Sequence, residues 1–240
     1  MAERFNPGDF AYAHRGLWTA GGLTENSLQA FLQAAERGLG IEFDVRPSSD
    51  GIPIIFHDPD LGRMTRESGP TEARSAKELV GLELIGGGEI IALERLLDAW
   101  PAKTPLLCEM KVDGQTDPVA FCQSVAALLS QHSGPAALMS FSTEAVATIP
   151  EHIMRGQLIA PSKGNTQKSL AETPTVPVDY LACHTSDAKD ASLQAARSDL
   201  PLITWTVKDA ATCEDLSAFT DSQIFEGFDP ALAKRHISNT

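Results

Sequence analysis

Short apolar runs alternate with helix-periodic runs almost throughout the chain. The runs at 10–16 (FAYAHRG), 40–47 (GIEFDVRP), 53–58 (PIIFHD), 105–112 (PLLCEMKV), 136–142, 153–160, 178–185, 201–207 and 222–228 read as strands. Helical patterns occupy 26–38, 92–100, 118–132, 143–151, 168–174, 190–198, 209–219 and 229–238. The first of these has Asn26 or Thr24 as its expected N-cap and Gly38 as its stop, and Pro118 opens a later one. Alternation of this kind predicts a parallel sheet with crossover helices. The expected fold class is α/β: a TIM (β/α)8 barrel over residues 1–240, whose length is near the ~250 residues usual for that architecture. The runs at 40–47 and 53–58, joined by SSDG, form a hairpin-like pair that interrupts strict alternation. An open doubly wound sheet is the alternative. It is disfavoured because no Gly-rich phosphate fingerprint follows the first strand, and Gly86-Gly87-Gly88 fits neither nucleotide-binding spacing.

Residues 59–91 do not fit the alternation. They are polar and Gly-rich, with one short helical stretch near SAKELVGL, and read as a small insertion after an early strand.

Composition narrows the function classes. An apolar fraction of 42% and a charged fraction of 21% are ordinary for a globular chain. The net charge of −13 argues against nucleic acid and anionic membranes as partners. It also means that an anionic substrate would need local positive charge. No apolar run is long enough to span a bilayer, and the first residues lack the apolar region of a secretory signal. The four widely spaced cysteines form no C-x-x-C pair, so reduced thiols and a cytoplasmic location are expected.

Chemistry gathers at the expected strand ends. Residues two apart in a strand share a face, so Glu42 and Asp44 point one way while Ile41, Phe43 and Val45 point the other. Glu109 and Lys111 repeat the pattern, and His14 and His57 close their own strands. In barrels the C-terminal strand ends carry the active site. Any one of these residues alone reads as a solvated or structural group; convergence changes that. Two like charges ~4 Å apart cost about 4 kcal/mol at an effective dielectric of ~20, so three inward carboxylates require a cation. Oxygen ligands without cysteine favour a hard divalent ion, Mg2+ or Ca2+. Arg15 and Lys111 supply a positive rim. Among the other candidates, His184 ends another strand, Trp205 suits either core or pocket wall, and His132 ends a helix where a cation would meet the dipole. His152 and His236 lie in polar contexts.

The series AHRG, TENS, IEFDV, IIFHDPDLGRMT and LLCEMK resembles the glycerophosphodiester phosphodiesterase family, strongly over residues 11–111 and more weakly through MSFSTEAV and ITWTV. The resemblance implies a barrel that uses one divalent cation to hydrolyse glycerophosphodiesters to glycerol 3-phosphate and an alcohol. Glu42, Asp44 and Glu109 then match metal ligands, and His14 and His57 match the acid–base pair. Arg15 and Lys111 match phosphate-binding cations, Glu25 and Asn26 match a pair near metal and substrate, and Trp205 joins the substrate-binding set. Residues 59–91 match a cap region. Two departures stand out: Thr24 replaces the usual proline, and FEGFDP replaces a Thr-Asp stretch, so no function carries over to Glu226 or Asp229. The expected partner is a soluble glycerophosphodiester with a small headgroup, without nucleic acid or membrane insertion. The rival readings are a lysophospholipase D-type activity, a metal-dependent aldolase or isomerase barrel, and a non-catalytic phosphodiester-binding barrel.

Overall fold

The computed structural model describes residues 2–240 except 102, 115, 162–175, 236 and 238–240. The helical pattern at 168–174 and His236 therefore lie outside the described residues. Eight parallel strands close on themselves: β1 (Tyr12–His14), β2 (Gly40–Pro47), β5 (Leu106–Met110), β6 (Ala136–Ser140), β7 (Met154–Ile159), β8 (Tyr180–His184), β9 (Leu202–Val207) and β10 (Ser222–Phe225). Their order is β1-β10-β9-β8-β7-β6-β5-β2, and β2 pairs back onto β1. The closed barrel has no open edge among these strands, which excludes the doubly wound alternative. Among the described residues no helix is long and apolar enough to cross a membrane.

Side-chain alternation divides the strands into two faces. Outward residues Ile41, Phe43, Cys108 and Met110 join a core with Phe31 and Ala34 of α1 (Leu28–Glu36) and Phe121, Cys122 and Val125 of α4 (Pro118–Leu129). Each such large side chain contributes roughly 1.5–3 kcal/mol by leaving water. The inward face holds Tyr12, Leu107, Met139, Leu158, Tyr180, Ile203 and Ile224. Two tyrosine rings fill the interior beside glycines. A Cβ on Gly40 would lie 2.6 Å from the Tyr12 ring, and one on Gly156 would lie 2.2 Å from that of Tyr180. Between strands, α3 (Leu93–Ala99), α5 (Thr143–Thr148), α6 (Ala191–Ala196), α7 (Ala210–Leu216) and α8 (Pro230–Arg235) complete the outer layer.

Three expectations need correction. The N-cap of α1 is Ser27, whose hydroxyl accepts from Ala30 N, because Asn26 turns its side chain to Asp44 instead. His132 is buried, and burial lowers its pKa, which works against a cation meeting the helix dipole there. The third concerns the strand carrying His57, where the expected hairpin-like pair with 40–47 does form but its second strand stands outside the barrel. β3 (Pro53–Ile55) is not a barrel strand; it runs antiparallel to β2 and pairs in turn with β4 (Ile91–Ala92). His57 thus reaches the barrel mouth by a returning hairpin, with Phe56 N bonded to Asp44 O at 3.1 Å.

The segment 59–91 has a small core of its own in Leu61, Leu79, Leu84 and Ile90, packed on Ile54 and Phe56. Its helix α2 (Ala76–Leu79) is closed by a Ser75–Glu78 capping box. Buried Arg46 holds this segment to the barrel: its Nε donates to His57 O at 2.7 Å and its Nη1 to Glu72 at 3.0 Å.

Candidate active site

Parallel register brings the chemistry of β1, β2 and β5 side by side. His14 lies opposite Glu42, and Asp44 opposite Glu109. The inward faces of β2 and β5 converge so that oxygens of Glu42, Asp44 and Glu109 all lie within 4.8 Å of one another, all three residues being buried. Lys111 Nζ donates to Glu109 Oε1 at 2.6 Å and stands 3.0 Å from Asp44 Oδ1. Arg15 donates its backbone N–H to Glu42 at 3.3 Å and Nη1 to Glu25 at 2.9 Å, and its Nε lies 3.1 Å from Asp44.

The cluster is electrostatically uneven. Burial pushes Glu42 well above the usual carboxylate range, and the charges of Asp44 and Glu109 push it further. Burial and Asp44 also raise Glu109 against the pull of Lys111. Burial works on Asp44 in the same direction, but Lys111 and Arg15 outweigh it and hold that carboxyl well below the ordinary range. Two cations therefore do not satisfy three buried carboxylates. This donor set of hard oxygens fits a divalent cation, whose charge would relieve the repulsion.

Backbone conformation is special at two points of the site. Arg15 and Asn26 are the non-glycine residues with positive φ among those described, at 55° and 56°. Asn26 N donates to Arg15 O at 2.8 Å, which locks the two turns together. The Asn26 side chain donates to Asp44 Oδ2 at 2.9 Å. Asn26 thus fixes a cluster carboxylate and does not line the cavity.

His14 and His57 each have a carboxylate at Nδ1. His14 Nδ1 lies 2.5 Å from Glu226 Oε2, and His57 Nδ1 lies 2.6 Å from Asp58 Oδ1. Each carboxylate is in turn paired with a cation, Glu226 with Lys208 at 2.9 Å and Asp58 with Arg63. Burial lowers the His57 pKa, and Lys111 and Arg15 add to it, against the opposing pull of Asp44.

His14, Arg15, Glu25, Glu42, His57, Glu109, Lys111, Lys208 and Glu226 line one cavity of about 440 Å3, together with Trp18, Met139, Phe141, Leu158, Trp205 and Ile224. One wall is therefore polar and charged, the other apolar. Trp205 belongs to the apolar wall, edge-on to Phe141 at 5.6 Å. His184 packs edge-on against Trp205 at 5.2 Å and is not among the lining residues. No residue of 59–91 lines the cavity. The hairpin carries that segment to the side, where Arg63, Met64, Ile85 and Gly86 help line an adjoining hollow of about 460 Å3 that shares Trp18 and Glu25 with the cavity.

The residues singled out from sequence thus meet at one mouth: His14, Arg15, Glu25, Glu42, His57, Glu109, Lys111 and Trp205 at the cavity, with Asp44 and Asn26 behind them. Sequence reading passed over Asp58, Arg63 and Lys208 and withheld a role from Glu226. Asp58 had a signal in its adjacency to His57. Glu226 had one too, since it ends a strand on the same side as His14.

Comparison with known proteins places this geometry in context. Residues 14–220 match the Glycerophosphoryl diester phosphodiesterase family. A probable glycerophosphodiester phosphodiesterase 2 of Mycobacterium tuberculosis is 39% identical over 95 residues, covering 39% of this chain and 36% of that protein. Human glycerophosphodiester phosphodiesterase 1 is 43% identical over 60 residues, 25% of this chain and 18% of that protein. The matched regions span about a third to a half of the first curated relatives, 36% and 53% of their lengths. Among solved structures, an Oleispira antarctica phosphodiesterase in complex with the product sn-glycerol-3-phosphate is similar, with TM-score 0.79 and 23% identity over 96% of this chain and 97% of that one. A Thermotoga maritima glycerophosphodiester phosphodiesterase has TM-score 0.74 and 20% identity over 96% and 98%.

Proposed function

The chain belongs to the Glycerophosphoryl diester phosphodiesterase family, and we propose that it hydrolyses glycerophosphodiesters to glycerol 3-phosphate and an alcohol with one divalent cation, Mg2+ or Ca2+. The observation that carries this reading is the buried triplet Glu42, Asp44 and Glu109, within 4.8 Å, beside a cavity that holds both His14 and His57. Those three carboxylates would hold the cation, which when bound withdraws charge from phosphate oxygens.

This chain's own residues do the rest. Arg15 and Lys111 face the cavity beside the carboxylates and bind the phosphate, offsetting the charge that builds there during the reaction. In the hydrolysis, one imidazole takes a proton from the attacking water as the new P–O bond forms. The other gives its proton to the leaving alkoxide as the old P–O bond breaks, so the pair ends with its protons exchanged. Imidazole suits both tasks near neutral pH. Glu25, paired with Arg15 and Arg63, orients the phosphate-binding guanidinium. The apolar wall of Phe141 and Trp205 takes the carbon skeleton and excludes water.

A soluble substrate with a small headgroup, such as glycerophosphocholine, is favoured over a lysophospholipid. The cavity of about 440 Å3 lies in the lower part of the range usual for a small-molecule site. Exposed large apolar residues are dispersed along the chain at Ile52, Val80, Ile85, Val119 and Phe141. We read residues 1–240 as one barrel domain with 59–91 inserted in it, and the four free buried cysteines as those of a cytoplasmic protein. The test compares kcat/KM for glycerophosphocholine, lysophosphatidylcholine and an unrelated phosphodiester, each with and without divalent cation. Turnover of glycerophosphocholine that depends on the cation supports the reading. A preference for the lysolipid overturns the substrate choice alone, and no turnover of any diester overturns the activity.

A further inference from the structure

Glu226 ends the strand beside the one that His14 ends. β10 and β1 run parallel, with Tyr12 opposite Ile224 and Ala13 opposite Phe225. One further step along each strand puts Glu226 beside His14, both on the inward face. Glu226 N donates to Val207 O at 2.9 Å, which fixes the backbone there, and Gly227 at φ 79° lets the chain turn away. The carboxylate then spans two partners. Oε2 lies 2.5 Å from His14 Nδ1, and Oε1 lies 2.9 Å from Lys208 Nζ. His14 Nε2 faces the opposite way, 3.8 Å from Glu42 Oε2, on the side of the carboxylate cluster.

A carboxylate in a cavity meant for an anion is costly unless it has a task. Lys208 offsets its charge, but Lys208 is well exposed and an exposed pair of this kind is worth little by itself. The short contact to a mostly buried imidazole is the more demanding interaction, and it is the one that constrains a reacting group. Burial raises the Glu226 carboxyl, yet the His14 bond and the Lys208 pair outweigh this and hold it at about 2, so it is ionised and can only accept.

We propose that Glu226 is a positioning residue for His14: its carboxylate accepts the Nδ1 proton and so makes Nε2 the nitrogen that exchanges a proton with the substrate. The carboxylate itself takes no proton in the reaction. It fixes the tautomer and ring orientation and stabilises the imidazolium while Nε2 is protonated. The assignment rests on the acid–base reading of His14, and it gives a task to a strand-end residue that the sequence pattern had left without one.

The experiment combines kinetics with 15N NMR of the histidine ring in wild type, Glu226→Gln and Glu226→Ala, and repeats the kinetics of Glu226→Ala in a His14→Ala background. Glu226→Gln keeps an acceptor and the side chain's shape, so it guards against a folding defect. It should lower kcat by about tenfold, and Glu226→Ala by about a hundredfold, with KM within about threefold of wild type. The neutral His14 ring should change from Nδ1–H in wild type to a mixture rich in Nε2–H in Glu226→Ala. In the His14→Ala background the second substitution should cost nothing further, because the two act as a unit. Unchanged kcat in Glu226→Ala, an unchanged tautomer, or a full additional loss in the double variant overturns the proposal. Wild-type turnover in His14→Ala would instead overturn the acid–base reading, while the ring spectrum would still report whether Glu226 sets the tautomer.

Discussion

Arg63 donates to both oxygens of Glu25, at 3.1 and 2.6 Å, across 38 residues of chain. The same guanidinium grips Asp58, which holds Nδ1 of His57. One side chain from the inserted segment therefore braces both the Arg15–Glu25 pair and a cavity histidine. Arg63→Ala should lower kcat/KM by about tenfold, a modest figure because the side chain is half-exposed and charge-assisted bonds there are partly screened. Arg63→Lys should recover only part of the loss, since an ammonium cannot reproduce the planar fork. Unaltered kinetics in Arg63→Ala would show that the segment does not support the site.

Chelation should abolish turnover, and Mg2+ or Ca2+ should restore it. The physical ground is the proximity of three buried carboxylates: burial, and then the neighbouring carboxylates, raises the pKa of Glu42 and Glu109, and a bound cation would relieve that cost. Melting curves give a second readout. Cation at a hundredfold excess over its Kd should stabilise the fold by about 2.7 kcal/mol, so the midpoint should fall when the cation is removed. Full activity after exhaustive chelation would sink the metal assignment.

His14→Ala and His57→Ala should each lower kcat by about 10² to 10⁴-fold, the usual worth of a positioned acid or base. His132→Ala should leave kcat near wild type although it opens a buried site and lowers stability, because His132 is not among the cavity's lining residues. A substrate with a good leaving group should rescue only the variant that lost the acid. Rescue of both variants to the same extent would contradict a division of labour between the rings.

The acid limb of the stability curve tests the Glu226 contacts separately from catalysis. The folded-state pKa of about 2 lies below the ordinary 4.5, so the group contributes stability above about pH 4.5. That contribution is lost as pH falls from about 4.5 towards about 2. Glu226→Gln has no such group to titrate. The difference in unfolding free energy between wild type and Glu226→Gln should therefore shrink as the buffer is taken from about pH 6 to about pH 3. A difference that stays constant over that range would mean the carboxylate is not ionised against His14 and Lys208.

How much of this site could be read in advance depended on where its residues sit in the chain. Glu42 and Asp44 were legible because they share a strand with three outward apolar residues, and period-two alternation alone separates the faces. Glu109 and Lys111 were legible for the same reason. His57 was legible through the hairpin-like pairing of 40–47 with 53–58; that returning antiparallel strand lies outside the barrel and delivers His57 to the mouth. Arg63 and Glu25 come from separate segments with no shared periodicity, so nothing local announces that they touch. The N-cap of α1 was misread because a tertiary bond, Asn26 to Asp44, outcompetes the local one.

The sequence by itself determined the alternation of strand and helix and the inward placement of the acidic residues, because these follow from local periodicity, and like-charge repulsion among those residues is what leads to the proposed cation. Only the tertiary structure decided which residues hold His14, His57 and Arg15 in place. Barrel closure brings β10 against β1 and so Glu226 against His14, while the hairpin after β2 swings Arg63 onto Glu25 and Asp58. Those pairings span 212 and 38 residues, and contacts at such separations are set by the register of a closed sheet and the path of a loop, neither of which has a local signature.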